Sequence, residues 1–117
     1  MSYLLLIVEP RGQREARGRE GGEQAYASMV AFAEGLKARG VLRAVESLKG
    51  DAEGTRVQLR EGKQRLLDGP FTEAKEMIGG FFLVDVATRA DAVAIAAECP
   101  AAAWASIEVR ELGPCFM

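Results

Sequence analysis

The residues best suited to chemistry cluster in one stretch, Asp68-Gly-Pro-Phe-Thr-Glu-Ala-Lys-Glu76. Asp68 or Glu73 can act there as a general base, with Lys75 as electrostatic stabiliser of a lyase-like step, if burial raises a carboxyl pKa. The same residues can bind instead of react. Gly69 and Pro70 impose a tight turn that holds Asp68 and Phe71 in fixed directions, and Thr72 is placed to cap a short helical turn. The free N–H groups of residues 73–75, with Lys75, then form a nest for a small polar or anionic ligand. A turn with a cap explains Asp, Gly, Pro and Thr equally well without any ligand, so both readings stand.

The chain has no histidine. That excludes a Ser-His-Asp triad, a Cys-His pair, an imidazole base and His-ligated metal. Cys99 and Cys115 lack CxxC spacing, so neither a metal site nor a cofactor is expected, and the thiols read as reduced and cytoplasmic. Cys99 lies at a helix C-terminus, where the dipole disfavours thiolate. Other candidates are single residues. Glu34 sits four positions after Val30 and edges a helix stripe, where it can face a pocket. Asp85 interrupts the most apolar strand and calls for a partner such as Arg110 or Arg56. Tyr3 and Tyr26 suit core-edge packing with a wet hydroxyl, Trp104 suits a packing anchor, and Gly79-Gly80 suits a bulge entering a strand.

These side chains need a frame. The chain has 117 residues, enough for one domain, and carries 15 basic and 17 acidic groups for a net charge of −2. With a pI near 5.3 there is no electrostatic footprint of a nucleic-acid or membrane binder. Nineteen alanines sit among its apolar residues, so the core is economical and a dimer interface would relieve the shortage. The six-residue apolar run Tyr3–Val8 is too short for a signal or a membrane span and reads as a buried strand. Residues 9–24 hold four Arg, four Glu and four Gly and read as a charged, flexible loop. Tyr26, Met29, Val30, Ala33 and Leu36 form a helical stripe within residues 23–39, stopped by Gly40. Residues 41–48 read as a strand. Thr55, Val57 and Leu59 alternate as a half-buried strand, Glu61-Gly62 turns it, and residues 63–67 return. A strand over 81–86, a helix capped at Thr88 and Asp91 and ended by Cys99-Pro100, and a strand over 106–112 complete the chain. Two strand-helix-strand units with an inserted hairpin point to an α+β domain with helices on one face of a largely antiparallel sheet. The uncovered sheet face predicts a symmetric homodimer.

The 68–76 stretch, followed by Gly79-Gly-Phe-Phe-Leu-Val-Asp-Val86, resembles the DGPF-type branch of the YCII-related family. The similarity extends to residues 29–34, 40–42 and 107–110, covering the chain from about Tyr26 onward. The resemblance implies a ferredoxin-like dimeric α+β barrel, a cytoplasmic bacterial protein, and a pocket between sheet and helices. Some members are similar to lyases or dehydrochlorinases that use a His-Asp pair, which this chain cannot assemble. DGPF-type members are discussed beside sigma factors, for which residues 9–24 would be the contact. The resulting expectation is a homodimer that binds a small molecule in a pocket framed by Asp68, Phe71, Thr72, Glu73, Lys75, Glu34 and Asp85. The alternatives are a lyase-like enzyme using carboxylates and lysine, and an interaction module for a sigma factor.

Overall fold

A computed structural model describes the whole chain, Met1–Met117. Strand β1 (Ser2–Pro10) leads into helix α1 (Gln13–Ala38) and strand β2 (Leu42–Ser47). A hairpin of β3 (Thr55–Arg60) and β4 (Lys63–Asp68) intervenes before β5 (Glu76–Asp85), α2 (Arg89–Glu98) and β6 (Ser106–Glu111). The main sheet has the order β2-β5-β1-β6, antiparallel throughout its pairings. With the hairpin set aside, this is the βαββαβ order of a ferredoxin-like fold, with its first and third strands at the centre.

Alternation along β1 decides what each face does. Tyr3, Leu5 and Ile7 point towards the helices and pair with Val84, Phe82 and Gly80 of β5. Leu36 of α1 and Ala92, Ile95 and Ala96 of α2 close that core. Leu4, Leu6 and Val8 point the other way, beside Leu83, Phe81 and Ile78, and none belongs to the core. The uncovered apolar face expected from the sequence is therefore present.

Two helix boundaries follow their sequence signals. Gly40, at φ 74°, ends α1 with Gly40 N–H donating to the Lys37 carbonyl and Val41 N–H to the Leu36 carbonyl, the paired bonds of a Schellman stop. Thr88 and Asp91 form a reciprocal capping box at α2.

Four expectations need correction. Residues 9–24 are not a loop: β1 runs to Pro10 and α1 begins at Gln13, with a break at Gly18 where the backbone leaves helical geometry. Arginines at helical spacing give this charged segment tertiary anchors that composition does not register. Within α1, Tyr26 and Val30 are exposed, and Phe32 packs on the core with Met29 and Ala33. No helix follows Thr72; Ala74 N–H donates to the Phe71 carbonyl in a tight turn, and the chain then enters β5. Finally, β3 and β4 are exposed along their whole length because their two-stranded sheet stands apart from the main one.

Candidate functional site

The Asp-Gly-Pro-Phe turn is held by two side chains from elsewhere. Arg11, just after β1, makes a bidentate pair with Asp51 through both Nη atoms, the tighter bond being Nη2 to Oδ2. The same guanidinium donates to the carbonyls of Phe71 (3.0 Å) and Ala74 (2.7 Å). Asp51 in turn accepts the Phe71 N–H at 3.3 Å. The Arg11 guanidinium, with help from that N–H, holds the Asp51 carboxyl below the usual aspartate range. Each residue of the motif has a place in this knot. Asp68 accepts from the Thr55 hydroxyl across the hairpin base (3.0 Å). Gly69 passes so close to the Asp51 carbonyl that a Cβ there would overlap its oxygen. The Gly69–Pro70 bond is cis, and Phe71 is buried beneath the Arg56 guanidinium, 3.8 Å from its ring centroid.

A cleft of about 540 Å³ opens beside this turn, with Arg11, Asp51, Arg56, Phe71 and Met77 in its wall. Asp68, Thr72, Glu73 and Lys75 are outside the wall. Thr72 and Lys75 are exposed, and Glu73 pairs with Arg56 at 2.9 Å. The backbone N–H of Glu73 and then Arg56 lower the Glu73 carboxyl, the opposite of what a general base at neutral pH requires. Asp85 lies at the end of β5, bound to the N-terminal ammonium and Arg43, each at 3.0 Å, rather than to Arg110 or Arg56. These two cations, the ammonium first, lower its carboxyl, and it lines neither large cleft.

The larger cleft, about 650 Å³, lies between α1 and the helix-facing side of the sheet. Met29, Ala33 and Trp104 supply apolar wall, Tyr26 and Val30 overhang it, and Glu34 stands on the rim. At one end sits Glu9, 6% exposed, the one buried charged residue of the chain. Arg14 grips it, with Nη2 2.7 Å from Oε1 and Nε 3.0 Å from Oε2. Arg14 also donates to the carbonyls of Leu48 (2.9 Å) and Gly79 (3.4 Å), so four of its five N–H donors are engaged inside the protein. Glu9 keeps acceptor capacity as well: Oε2 takes a single bond and can accept another from a ligand hydroxyl. The strand opposite makes room for it. β1 and β5 shift register between Ile7 and Val8, leaving Gly79 unpaired in a bulge, and a Cβ on Gly79 would overlap Glu9 Oε1. Arg17 completes this end, its guanidinium 5.3 Å from the Trp104 ring centroid.

Of the sequence candidates, Glu34, Tyr26, Trp104 and the Gly79-Gly80 pair come together at this cleft. Glu9, Arg14 and Arg17 carry its polar chemistry and were hidden in the segment read as a loop. Their signal is the spacing of Arg11, Arg14 and Arg17, three residues apart. Arg11 and Arg14 each reach a buried or half-buried acid and a carbonyl, and Arg17 reaches an indole. Cys99 is buried, which raises its thiol pKa, and Cys115 is exposed.

Fold and site together define a small ferredoxin-like α+β protein with a cleft between its first helix and its sheet. The YCII-related domain matches residues 1–115, and the chain belongs to that family. An uncharacterized protein of Rhizobium meliloti (strain 1021) is 28% identical over 114 residues, which cover 96% of this chain and 92% of that protein. Among solved structures, 5-chloro-2-hydroxyhydroquinone dehydrochlorinase (TftG) of Burkholderia phenoliruptrix AC1100, in complex with 2,5-dihydroxybenzoquinone, superposes with a TM-score of 0.58. That match has 18% identity and covers 97% of this chain and 94% of the other. No helix is long and apolar enough to cross a membrane.

Proposed function

We propose that the protein binds a small hydroxylated, largely apolar molecule in the α1–sheet cleft, as a cytoplasmic homodimer joined through the open sheet face. The observation that carries the ligand reading is the buried Glu9 carboxylate at the end of an apolar cleft, with an acceptor position to spare. About 650 Å³ suits a one-ring ligand with room for water. The ring lies against Met29, Ala33 and Trp104, a hydroxyl donates to Glu9 Oε2, and any anionic substituent faces Arg17. The fold likeness to a protein that takes a dihydroxybenzoquinone supports a ligand of this kind. The dimer reading is supported by Leu4, Leu6, Phe81 and Leu83, which no element of the chain covers.

The test is calorimetric titration with 2,5-dihydroxybenzoquinone and with 4-hydroxybenzoate, followed in parallel by amide chemical shifts around the cleft. Saturable binding is expected, abolished in Ala33→Trp, which fills the cleft, and weakened about tenfold in Glu9→Gln, which loses the charge on the acceptor. Absence of saturable binding for both probes, or binding indifferent to Ala33→Trp, would reject the reading. Chloride release from 5-chloro-2-hydroxyhydroquinone by the wild-type protein, lost in Glu9→Gln, would convert it into the lyase-like alternative.

A further inference from the structure

The β3–β4 hairpin pairs with no other strand of the chain, yet it is built as though it had a partner. Its six cross-strand pairs separate two faces. Val57 and Leu66 are paired on one face and Leu59 lies beside them, at 63%, 61% and 69% exposure. Arg60, Lys63 and Arg65 stand on the other face with Leu67 and with Arg56, which is held by Phe71 and Glu73. A lone two-stranded ribbon is marginal in water, and an exposed apolar ribbon face with open edges invites pairing. The hairpin also extends the molecule: the radius of gyration is 16.0 Å, against about 13–14 Å for a compact chain of this length.

Charge and shape narrow the occupant. Residues 55–68 hold four cationic and two acidic side chains, so the arm is +2; with the chain at −2, everything else is −4. A basic arm on an acidic body is complementary to a second copy of that body. The smallest molecular extent, 19 Å, leaves room for one sheet layer and one helix layer, so the far side of the sheet is bare. That bare face has apolar Leu4, Leu6, Phe81 and Leu83 at its centre. Glu46 and Glu108 flank it, since they pair with Phe81 and Leu6; Glu108 is bound there by Arg110 at 2.6 Å, which leaves Glu46 as the acid without an ion-pair partner.

We propose that the hairpin is a docking arm for a second copy of this chain. Its Val57-Leu59-Leu66 face lies on the partner's open sheet face, and the cationic tip meets Glu46 on the flank there. Two-fold symmetry makes the exchange reciprocal, so each subunit supplies the third layer that the other lacks. Long Arg and Lys stems reach around the ribbon edges to that flank while its apolar face stays down. The proposal rests on the sheet-face dimer above and adds a residue-level contact to it.

Sedimentation equilibrium of the full chain tests both, with far-UV circular dichroism as the check on folding. The wild type is expected at twice 12.6 kDa. Val57→Lys/Leu59→Lys/Leu66→Lys alters only exposed arm residues and is expected to weaken dimerisation by a hundredfold or more. Arg60→Glu/Lys63→Glu/Arg65→Glu is expected to weaken it about tenfold at low salt, the difference shrinking as salt rises. Leu6→Glu/Phe81→Glu probes the sheet face alone. Dimers unchanged by both arm variants but lost in the sheet-face variant would overturn the arm and keep the sheet interface. A wild-type monomer at about 100 μM would overturn both, that being far above the Kd of a standard-size interface. Salt-sensitive retention on duplex DNA, lost in the charge-reversal variant while dimerisation is unchanged, would reassign the arm to nucleic acid.

Discussion

Gly69→Ala tests whether the Asp-Gly-Pro-Phe motif is a structural lock. A Cβ built on Gly69 overlaps the Asp51 carbonyl oxygen and lies 2.8 Å from the Asp51 carbonyl carbon and 3.3 Å from the Gly54 carbonyl oxygen. All three are backbone atoms, so no side chain can rotate out of the way. Relief requires moving the 3₁₀ turn Asp51–Glu53 away from the motif, which pulls on the Arg11–Asp51 pair and on the Gly69 N–H bond to the Gly54 carbonyl (2.8 Å). Overpacking costs about 1–3 kcal/mol and the backbone hydrogen bond about 0.5–1.5 kcal/mol, so a loss of about 2–4 kcal/mol is expected. For 117 residues the unfolding entropy converts each kcal/mol into about 4 °C, giving a Tm lowered by about 8–16 °C. Scanning calorimetry measures this directly, and hydrogen exchange should show faster opening at the base of the hairpin. Gly35→Ala is the control. It lies inside α1 with nothing near its Cβ and should raise stability by about 0.5–1 kcal/mol. A Gly69→Ala protein that melts with the wild type would refute the lock and return the motif to the ligand-site reading.

Other predictions concern the two arginine anchors and the thiols. The Asp51 carboxyl is depressed in the fold, so the stability it contributes is full above its ordinary value of 3.8 and is lost as pH falls through the lower folded value. Urea midpoints from pH 7 to pH 2 should therefore fall less steeply at the acid end in Asp51→Asn, from a lower starting point at pH 7. Gly79→Ala should drive Glu9 off its seat against Arg14, costing about 1–3 kcal/mol in a denaturant melt and weakening cleft binding, whereas Gly113→Ala should change neither. A native thiol titration should find Cys115 reactive and Cys99 silent, with both reacting in denaturant; prompt reaction of both in the native protein would contradict the buried placement of Cys99.

The fold was legible because its signals are local. The apolar run of β1, the stripe before Gly40, the Thr88–Asp91 box and the alternation of Ile107 and Val109 each specify an element without help from the rest. The segment 9–24 was not legible by composition, because glycines and charges describe a loop unless long-range partners hold them. Those partners are Asp51 for Arg11, the Leu48 and Gly79 carbonyls for Arg14, and Trp104 for Arg17. Burial of the hairpin was misjudged for a related reason. Period-two alternation reports that one face wants cover, and is silent on whether this chain supplies it.

The missing histidine takes a different meaning once the arginines are placed. At Glu9 and at Asp51 the chain pairs a carboxylate with a guanidinium, the side-chain cation that stays charged at every working pH. Arg11 holds the Asp51 carboxyl low, and at both sites the guanidinium fixes the carboxylate in place, which suits recognition of a donor group. An imidazole would exchange protons with it, which suits turnover. Arg14 spends four of its five donors on Glu9 and two carbonyls, and Glu9 Oε2, with a single bond, keeps acceptor capacity for a ligand. The cleft is therefore organised around a fixed acceptor, and the Asp-Gly-Pro-Phe motif secures the hairpin base, tied through Arg11 to the chain just after β1.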